Sequence, residues 1–153
     1  MGLDMYLKAK TFVHGFANDR EQYDKVIDAI NAKAIASDDH PTAEISVGCA
    51  YWRKANAIHG WFVREVQNGE DECREHWVPR EKLEELVETC VRVMSDNSLA
   101  PTLLPPTDGF FFGGTDLDEW YWGYIKETAE VIGTLLKKIP AEANWDFYYR
   151  SSW

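Results

Sequence analysis

Three short segments combine large aromatic rings with polar side chains that could hold a ligand. They are residues 51–62, 109–114 and 147–153. Aromatic faces stack on flat rings while Arg, Lys, Asn, His or Ser groups fix a polar edge, so this composition is typical of a ligand pocket. The six residues predicted to bind a ligand are Trp52, Arg53, Asn56, His59, Phe111 and Tyr149. A cationic, aromatic surface favours an anionic ligand with a flat ring, such as a nucleotide.

The same segments are also compatible with purely structural roles. His59 can be a hydrogen-bonded histidine at the edge of the core, and Phe110 to Phe112 can form either a core plug or a lid over a ligand. Three consecutive exposed phenylalanines would leave too much apolar surface in water, so at least one ring must be packed. Gly60 has no side chain and would leave room for another group to approach the helix.

Motifs with a known catalytic mechanism are missing, and no catalytic residue is assigned. The chain has no nucleophile elbow, no phosphate-cradling glycine loop, no His-Glu-x-x-His helix and no dinucleotide fingerprint. His59 as general base, Asp116 or Asp118 as acid, and Arg53 on a phosphate would make a phosphodiesterase-like or glycosidic-bond-cleaving site. An enzyme that cleaves a nucleotide ligand is therefore one alternative to a binding protein.

The pattern of cysteines predicts a protein from a reducing compartment. No metal and no other cofactor is predicted. Cys49, Cys73 and Cys90 are odd in number and widely spaced, which suits neither a disulfide framework nor a paired zinc knuckle. Cys73 and His76 form a Cys-x-x-His step, yet a structural zinc ion needs two further ligands and only distant residues could supply them. We interpret all three as ordinary reduced thiols.

The net charge of −10, from 26 acidic and 16 basic residues, makes a nucleic-acid backbone a poor partner. An acidic surface of this kind is usually solvated, but it could also engage a basic protein. The longest apolar run is far too short to span a membrane, and the N-terminus lacks a secretory signal. These features predict a cytoplasmic protein that contacts no membrane; an oligomer of identical chains is compatible with them.

Hydrophobic periodicity predicts an α+β fold with about four helices. Strands are expected at about 3–12, 44–51 and 146–153, and helices at about 18–36, 52–66, 79–94 and 115–139. Thr115 with Asp118 three residues later predicts a capping-box-like start for the last helix, and Pro140 ends it. The sequence contains no linkers or repeats, so it predicts one domain over residues 1–153. The order of strands and helices along the chain predicts that the helices pack on a small, mainly antiparallel sheet. The last strand is expected to lie beside the first.

Four motifs together resemble a family of small bacteriophage and prophage proteins. They are Gly-Leu-Asp-Met-Tyr-Leu at 2–7, Tyr-Trp-Arg-Lys-Ala-Asn-Ala-Ile-His at 51–59, Gly-Phe-Phe-Phe-Gly at 109–113 and Tyr-Tyr-x-Ser-Ser-Trp at 148–153. The resemblance covers nearly the whole chain and implies a host bacterial cytoplasm as the setting. Accessory phage proteins of this kind often act on host physiology or immunity, so the resemblance implies such a role.

Three functions follow from these observations. The first is a phage accessory protein that sequesters a small anionic, nucleotide-like ligand and so counters a host defence signal. The second is an enzyme that cleaves such a ligand, which would form product at substoichiometric protein. The third is an acidic inhibitor of a host defence or nucleic-acid-binding protein, which would form a salt-sensitive complex without a small ligand.

Overall fold

The computed structural model of this protein describes residues 2–153. The strands are β1 (Asp4–His14), β2 (Thr42–Arg53), β3 (His76–Val78) and β4 (Asp146–Ser152). The α-helices are α1 (Arg20–Ala29), α2 (Asn56–Glu65), α3 (Arg80–Ser95), α4 (Ala100–Leu103) and α5 (Glu119–Lys138). Two short 3-10 helices, Ala17–Asp19 and Asn97–Leu99, precede α1 and α4.

The four strands form one small, mainly antiparallel sheet in the order β2-β1-β4-β3. Strands β3 and β4 are antiparallel, with His76 opposite Tyr149 and Val78 opposite Phe147. The predicted α+β class is confirmed, and β4 lies beside β1 as expected. Strand β3 was not predicted, because three residues are too short for an alternating pattern to be visible.

The chain divides into two compact units. The larger comprises residues 2–9 and 48–153, and the smaller comprises residues 10–47. The smaller unit has its own cluster of buried residues, formed by Val13, Tyr23 and Ile27. The candidate site lies within the larger unit alone.

The core of the larger unit is built from alternating strand residues and one almost fully buried helix. Leu3, Met5 and Leu7 have no exposed surface, as their alternation predicts. In α2 every residue from 56 to 62 is buried, which places polar Asn56 and His59 inside the protein. Polar groups in such a position need hydrogen-bond partners.

Helices α3 and α5 pack against each other over much of their length. Arg80, at the start of α3, donates to the carbonyl oxygens of Leu136 (2.8 Å) and Ile139 (2.6 Å). These contacts satisfy carbonyl groups at the C-terminus of α5, which have no partner within the helix. Helix α5 then ends before Pro140, as predicted.

Several predicted boundaries are wrong. Residues Trp52 and Arg53 belong to β2, so the helix predicted from residue 52 begins only at Asn56. Helix α1 ends at Ala29 instead of near residue 36. Helix α5 begins after Asp118, which is itself the capping residue in place of Thr115. No helix in the described part of the chain is long and apolar enough to cross a membrane.

Candidate ligand-binding cavity

A cavity of about 360 Å³ lies beside the turn that joins β2 to α2. This volume is near the lower end of the roughly 300–1,000 Å³ typical of small-molecule sites. The residues that line it are Lys54, Ala55, Asn56, Ala57, Ile58, Gly113, Gly114, Asp116, Asp118, Trp120, Tyr121, Tyr124 and Ile125. The cavity is therefore sized for one small ligand and is bounded by two stretches of chain, residues 54–58 and 113–125.

The first wall is formed where the chain leaves the sheet and enters α2. Lys54 has φ of 61°, in the left-handed region that breaks the extended conformation of β2. Its N–H donates to the carbonyl of Leu3 (2.8 Å), and its own carbonyl accepts from the N–H of Asn56 (2.9 Å). These bonds fix the direction in which α2 begins.

Asn56 attaches the glycine-rich loop to α2. Its Nδ2 donates to the carbonyls of Gly114 (2.8 Å) and Phe112 (3.2 Å), while its Oδ1 accepts from the N–H of Thr107 (3.2 Å). Because both polar atoms of the amide are occupied by the loop, Asn56 positions the cavity wall instead of offering hydrogen bonds to a ligand.

The position of Thr107 also explains why residue 60 is a glycine. A side chain at residue 60 would overlap the Thr107 hydroxyl. The group that approaches this glycine is therefore part of the same loop, and the room that the sequence indicated is already filled.

The second wall is the N-terminal end of α5. Asp118 Oδ1 accepts from the N–H of Tyr121 (3.0 Å), so this carboxylate caps the helix and interacts favourably with its positive end. Trp120 is 66 % exposed although it is a large aromatic residue. Its ring is therefore accessible to a ligand that enters the cavity.

The two tyrosines of this wall remain protonated near neutral pH. Burial raises the pKa of Tyr121 to about 12, and its hydroxyl donates to the carbonyl of Leu104 (2.8 Å). Burial also raises the pKa of Tyr124, with further contributions from the charges of Glu127 and Asp118. Both rings therefore act as neutral aromatic surface and carry no phenolate for catalysis.

The charged groups at the cavity are one ammonium and two carboxylates, from Lys54, Asp116 and Asp118. The carboxylates can accept hydrogen bonds from ligand N–H or O–H groups, and the ammonium can pair with an anion. The lining is thus mixed in charge, whereas the sequence predicted an aromatic edge whose charged group was the cation Arg53.

His59 belongs to a separate polar cluster that runs from the core, at His59 and Tyr149, to the surface, at Asp71 and Trp153. Its Nδ1 lies 2.7 Å from the Tyr149 hydroxyl, and its Nε2 lies 3.0 Å from Asp71 Oδ2. Trp153 Nε1 donates to the other oxygen of Asp71 at 3.2 Å. A neutral imidazole that donates from Nε2 to Asp71 and accepts at Nδ1 from Tyr149 satisfies every member of this chain of hydrogen bonds.

This cluster has little capacity for catalysis. His59 and Tyr149 have no exposed surface. Burial raises the pKa of Tyr149 well above its ordinary value, with Asp71 and Cys73 adding to the shift. The phenol is therefore kept neutral, and the imidazole already uses both nitrogens within the protein.

The structure separates the six residues predicted to bind a ligand. Asn56 alone among them lines the cavity. Trp52 is 2 % exposed in the core, where its ring lies 6.3 Å from that of Phe62, and it does not line the cavity. Arg53 is exposed on β2, with its Nε 4.0 Å from Asp4 Oδ1. The change from helix to strand at residues 52 and 53 explains why neither side chain lies along the edge of α2.

The phenylalanine loop is divided between core and solvent. Phe112 is buried with its ring edge-on to His59 at 5.0 Å, whereas Phe110 is 95 % exposed. Phe111 is half-buried, and its carbonyl accepts from the N–H of Leu3 (3.1 Å). Phe112 is therefore a core plug, and Phe111 packs against the core without lining the cavity.

Sequence reasoning missed Lys54, Trp120, Tyr121 and Tyr124 as members of this site. The last three were recognised only as a stripe along a helix, which is the ordinary signature of a core face. A usable signal was the accumulation of Asp116, Asp118, Trp120 and Tyr121 around a helix start. That composition mixes capping residues with more aromatic surface than a helix end requires.

Within residues 2–153 no group of three His, Cys, Asp or Glu side chains is placed to hold a metal ion. No family model, curated protein or solved structure matches the chain. The predicted relation to bacteriophage proteins, with its setting and its role in host defence, therefore stays a prediction.

Proposed function

We propose that this protein binds and sequesters a small nucleotide-like ligand in the cavity between residues 54–58 and 113–125. The observation that carries this proposal is the combination of an accessible Trp120 ring with positively and negatively charged side chains around a cavity of about 360 Å³. The positive charge is that of Lys54, and the negative charges are those of Asp116 and Asp118. A flat base would stack on Trp120, and the carboxylates would accept hydrogen bonds from its amino groups or from sugar hydroxyls. The volume favours one nucleoside-sized ligand over a dinucleotide.

Binding is favoured over cleavage by the placement of the acid–base groups. His59, the best candidate for a general base, is buried and paired with Asp71 and Tyr149. The two cavity tyrosines are held neutral by burial. The carboxylates that remain, Asp116 and Asp118, have no histidine or cysteine beside them in the cavity lining. Such a site can retain a ligand but has no paired nucleophile and base.

The test is a calorimetric titration of the protein with the common nucleosides and their 5′-monophosphates. Trp120→Ala should weaken binding by about 1–3 kcal/mol, the usual contribution of one base stacked on an aromatic residue. Its melting temperature should hardly change, because the ring is mostly exposed. Trp77→Ala is a matched control, since Trp77 is 55 % exposed and does not line the cavity.

Two outcomes would contradict the proposal. Equal weakening of ligand binding in the Trp120 and Trp77 variants would show that the ligand binds outside the cavity. Conversion of the ligand into product at substoichiometric protein, followed by chromatography, would favour the enzyme over the binding protein.

A further inference from the structure

We infer that Lys54 is the specificity-determining cation of this cavity and that the ligand class is a nucleoside carrying a single phosphate. This inference rests on the proposed function. It is carried by the backbone conformation of Lys54 and by the balance of charge around it. The sequence predicted Arg53 as the cation that contacts the ligand, and this inference gives that role to Lys54, the next residue.

The backbone of Lys54 is unusual for its residue type. Three non-glycine residues within residues 2–153 have positive φ, namely Asn31, Lys54 and Asn68. Asparagine tolerates the left-handed region, whereas lysine has no such preference. Strained backbone of this kind clusters at ligand sites and persists where the surroundings hold it in place. For Lys54 those surroundings are the two hydrogen bonds to Leu3 and Asn56.

The side chain of Lys54 packs beside two glycines, of which Gly113 lines the cavity and Gly2 does not. Its Cβ and Cδ lie 3.4 and 3.5 Å from the position that a Cβ atom would take at Gly113, which also lines the cavity. Its Cε lies 3.5 Å from the corresponding position at Gly2. Within residues 2–153 Lys54 forms no ion pair, so its ammonium is available to a ligand anion.

The other charges limit how many phosphates the ligand can carry. Asp116 and Asp118 are carboxylates of the same lining, and like charges in one small cavity repel. The one ammonium can pair with one phosphate group, while each further phosphate adds negative charge beside the two carboxylates without a second cation. The lining therefore selects a monophosphate both by attraction at Lys54 and by repulsion of more highly charged analogues.

The experiment compares the best-binding nucleoside with its 5′-monophosphate and 5′-triphosphate on three proteins. These are the wild type, Lys54→Asn and Arg53→Met. Asparagine accepts the left-handed backbone and removes the charge, so it separates the two properties of Lys54. Arg53→Met removes the adjacent charge, which does not line the cavity.

In the wild type the monophosphate should bind about tenfold more tightly than the nucleoside and than the triphosphate, as expected for one charge-assisted contact. Lys54→Asn should abolish the advantage of the monophosphate over the nucleoside. Arg53→Met should preserve that advantage. The melting temperature of Lys54→Asn should equal or exceed that of the wild type, because the strained residue has been replaced.

Failure of the inference can be told from failure of the proposed function. If no nucleoside or nucleotide binds, both fail. If the nucleoside binds but the monophosphate gains nothing, or its gain survives in Lys54→Asn, the cavity holds a ligand that Lys54 does not select. A triphosphate that binds as tightly as the monophosphate also overturns the inference, as does loss of nucleoside binding with a lowered melting temperature in Lys54→Asn.

Discussion

The cavity and the His59 cluster are built from similar residue types, yet they differ in where their hydrogen bonds go. In the cluster the polar groups of His59, Tyr149, Asp71 and Trp153 are paired with one another. In the cavity, Trp120 is mostly exposed and Lys54 forms no ion pair within residues 2–153. Aromatic rings mixed with polar groups thus describe both a closed structural network and an open site. The partners of the polar atoms distinguish the two.

Helix α2 connects these two regions through residues that are one turn apart. Asn56 faces the glycine-rich loop and the cavity, and His59 faces Tyr149 and Asp71. Phe112 contacts both, since its carbonyl accepts from Asn56 and its ring meets His59. Substitutions on α2 and at its partners can therefore show whether the cluster serves stability alone while the cavity serves binding.

The largest effect is expected for His59→Ala, which should lower the free energy of unfolding by about 3–5 kcal/mol. It removes a fully buried ring and leaves the Tyr149 hydroxyl and Asp71 Oδ2 without their partner. Urea denaturation measures this loss, with His40→Ala as the control because His40 is exposed. A loss below about 1 kcal/mol would mean that the cluster contributes little to stability.

A smaller loss, about 2–3 kcal/mol, is expected for Asn56→Ala because three hydrogen bonds to the loop disappear. Amide hydrogen exchange should accelerate over residues 107–114 and stay slow in α3. Asn56→Asp retains an acceptor for the Thr107 N–H, so exchange at Thr107 should accelerate less than in Asn56→Ala, but its carboxylate cannot donate to the carbonyls of Phe112 and Gly114. If the wild-type loop already exchanges fast and slows only with ligand, the loop acts as a lid and the separation of the two regions fails.

The smallest effect at neutral pH is expected for Tyr149→Phe, which leaves His59 Nδ1 without a donor and should cost about 1–2 kcal/mol. Its pH dependence is more informative. The native pKa of Tyr149 lies well above the ordinary value of 10.0, so the unfolded chain loses this proton first as pH rises. The stability that it provides is complete below about pH 10 and is lost progressively above it.

Above pH 10, unfolding of the wild type should therefore depend more steeply on pH than unfolding of Tyr149→Phe. The difference in slope approaches about 1.4 kcal/mol per pH unit, the value for one proton. Cys90 and Tyr121, whose pKa values are both raised to about 12, contribute equally to both proteins and cancel in this comparison. Identical slopes would show that the Tyr149 hydroxyl reaches water in the native state.

Local patterns predicted the elements whose residues meet the core at a regular period. The alternation of Leu3, Met5 and Leu7 identified β1, and the apolar stripe after Pro79 identified α3. The turn at Lys54 was not predicted, because lysine carries no intrinsic preference for a left-handed backbone. As a result, the helical pattern was extended two residues into β2, and Trp52 and Arg53 were assigned to the wrong element.

By itself the sequence determined the α+β class, the first and last strands, and the presence of a helix after β2. These follow from period and composition, which are properties of neighbouring residues. Only the tertiary structure decided which polar groups are satisfied and which line a cavity. His59 finds its partners 12 and 90 residues away, and Asn56 finds its partners 51 to 58 residues away. Hydrogen bonds between residues so far apart in the sequence depend on the tertiary fold. They therefore cannot be predicted from the pattern of neighbouring residues.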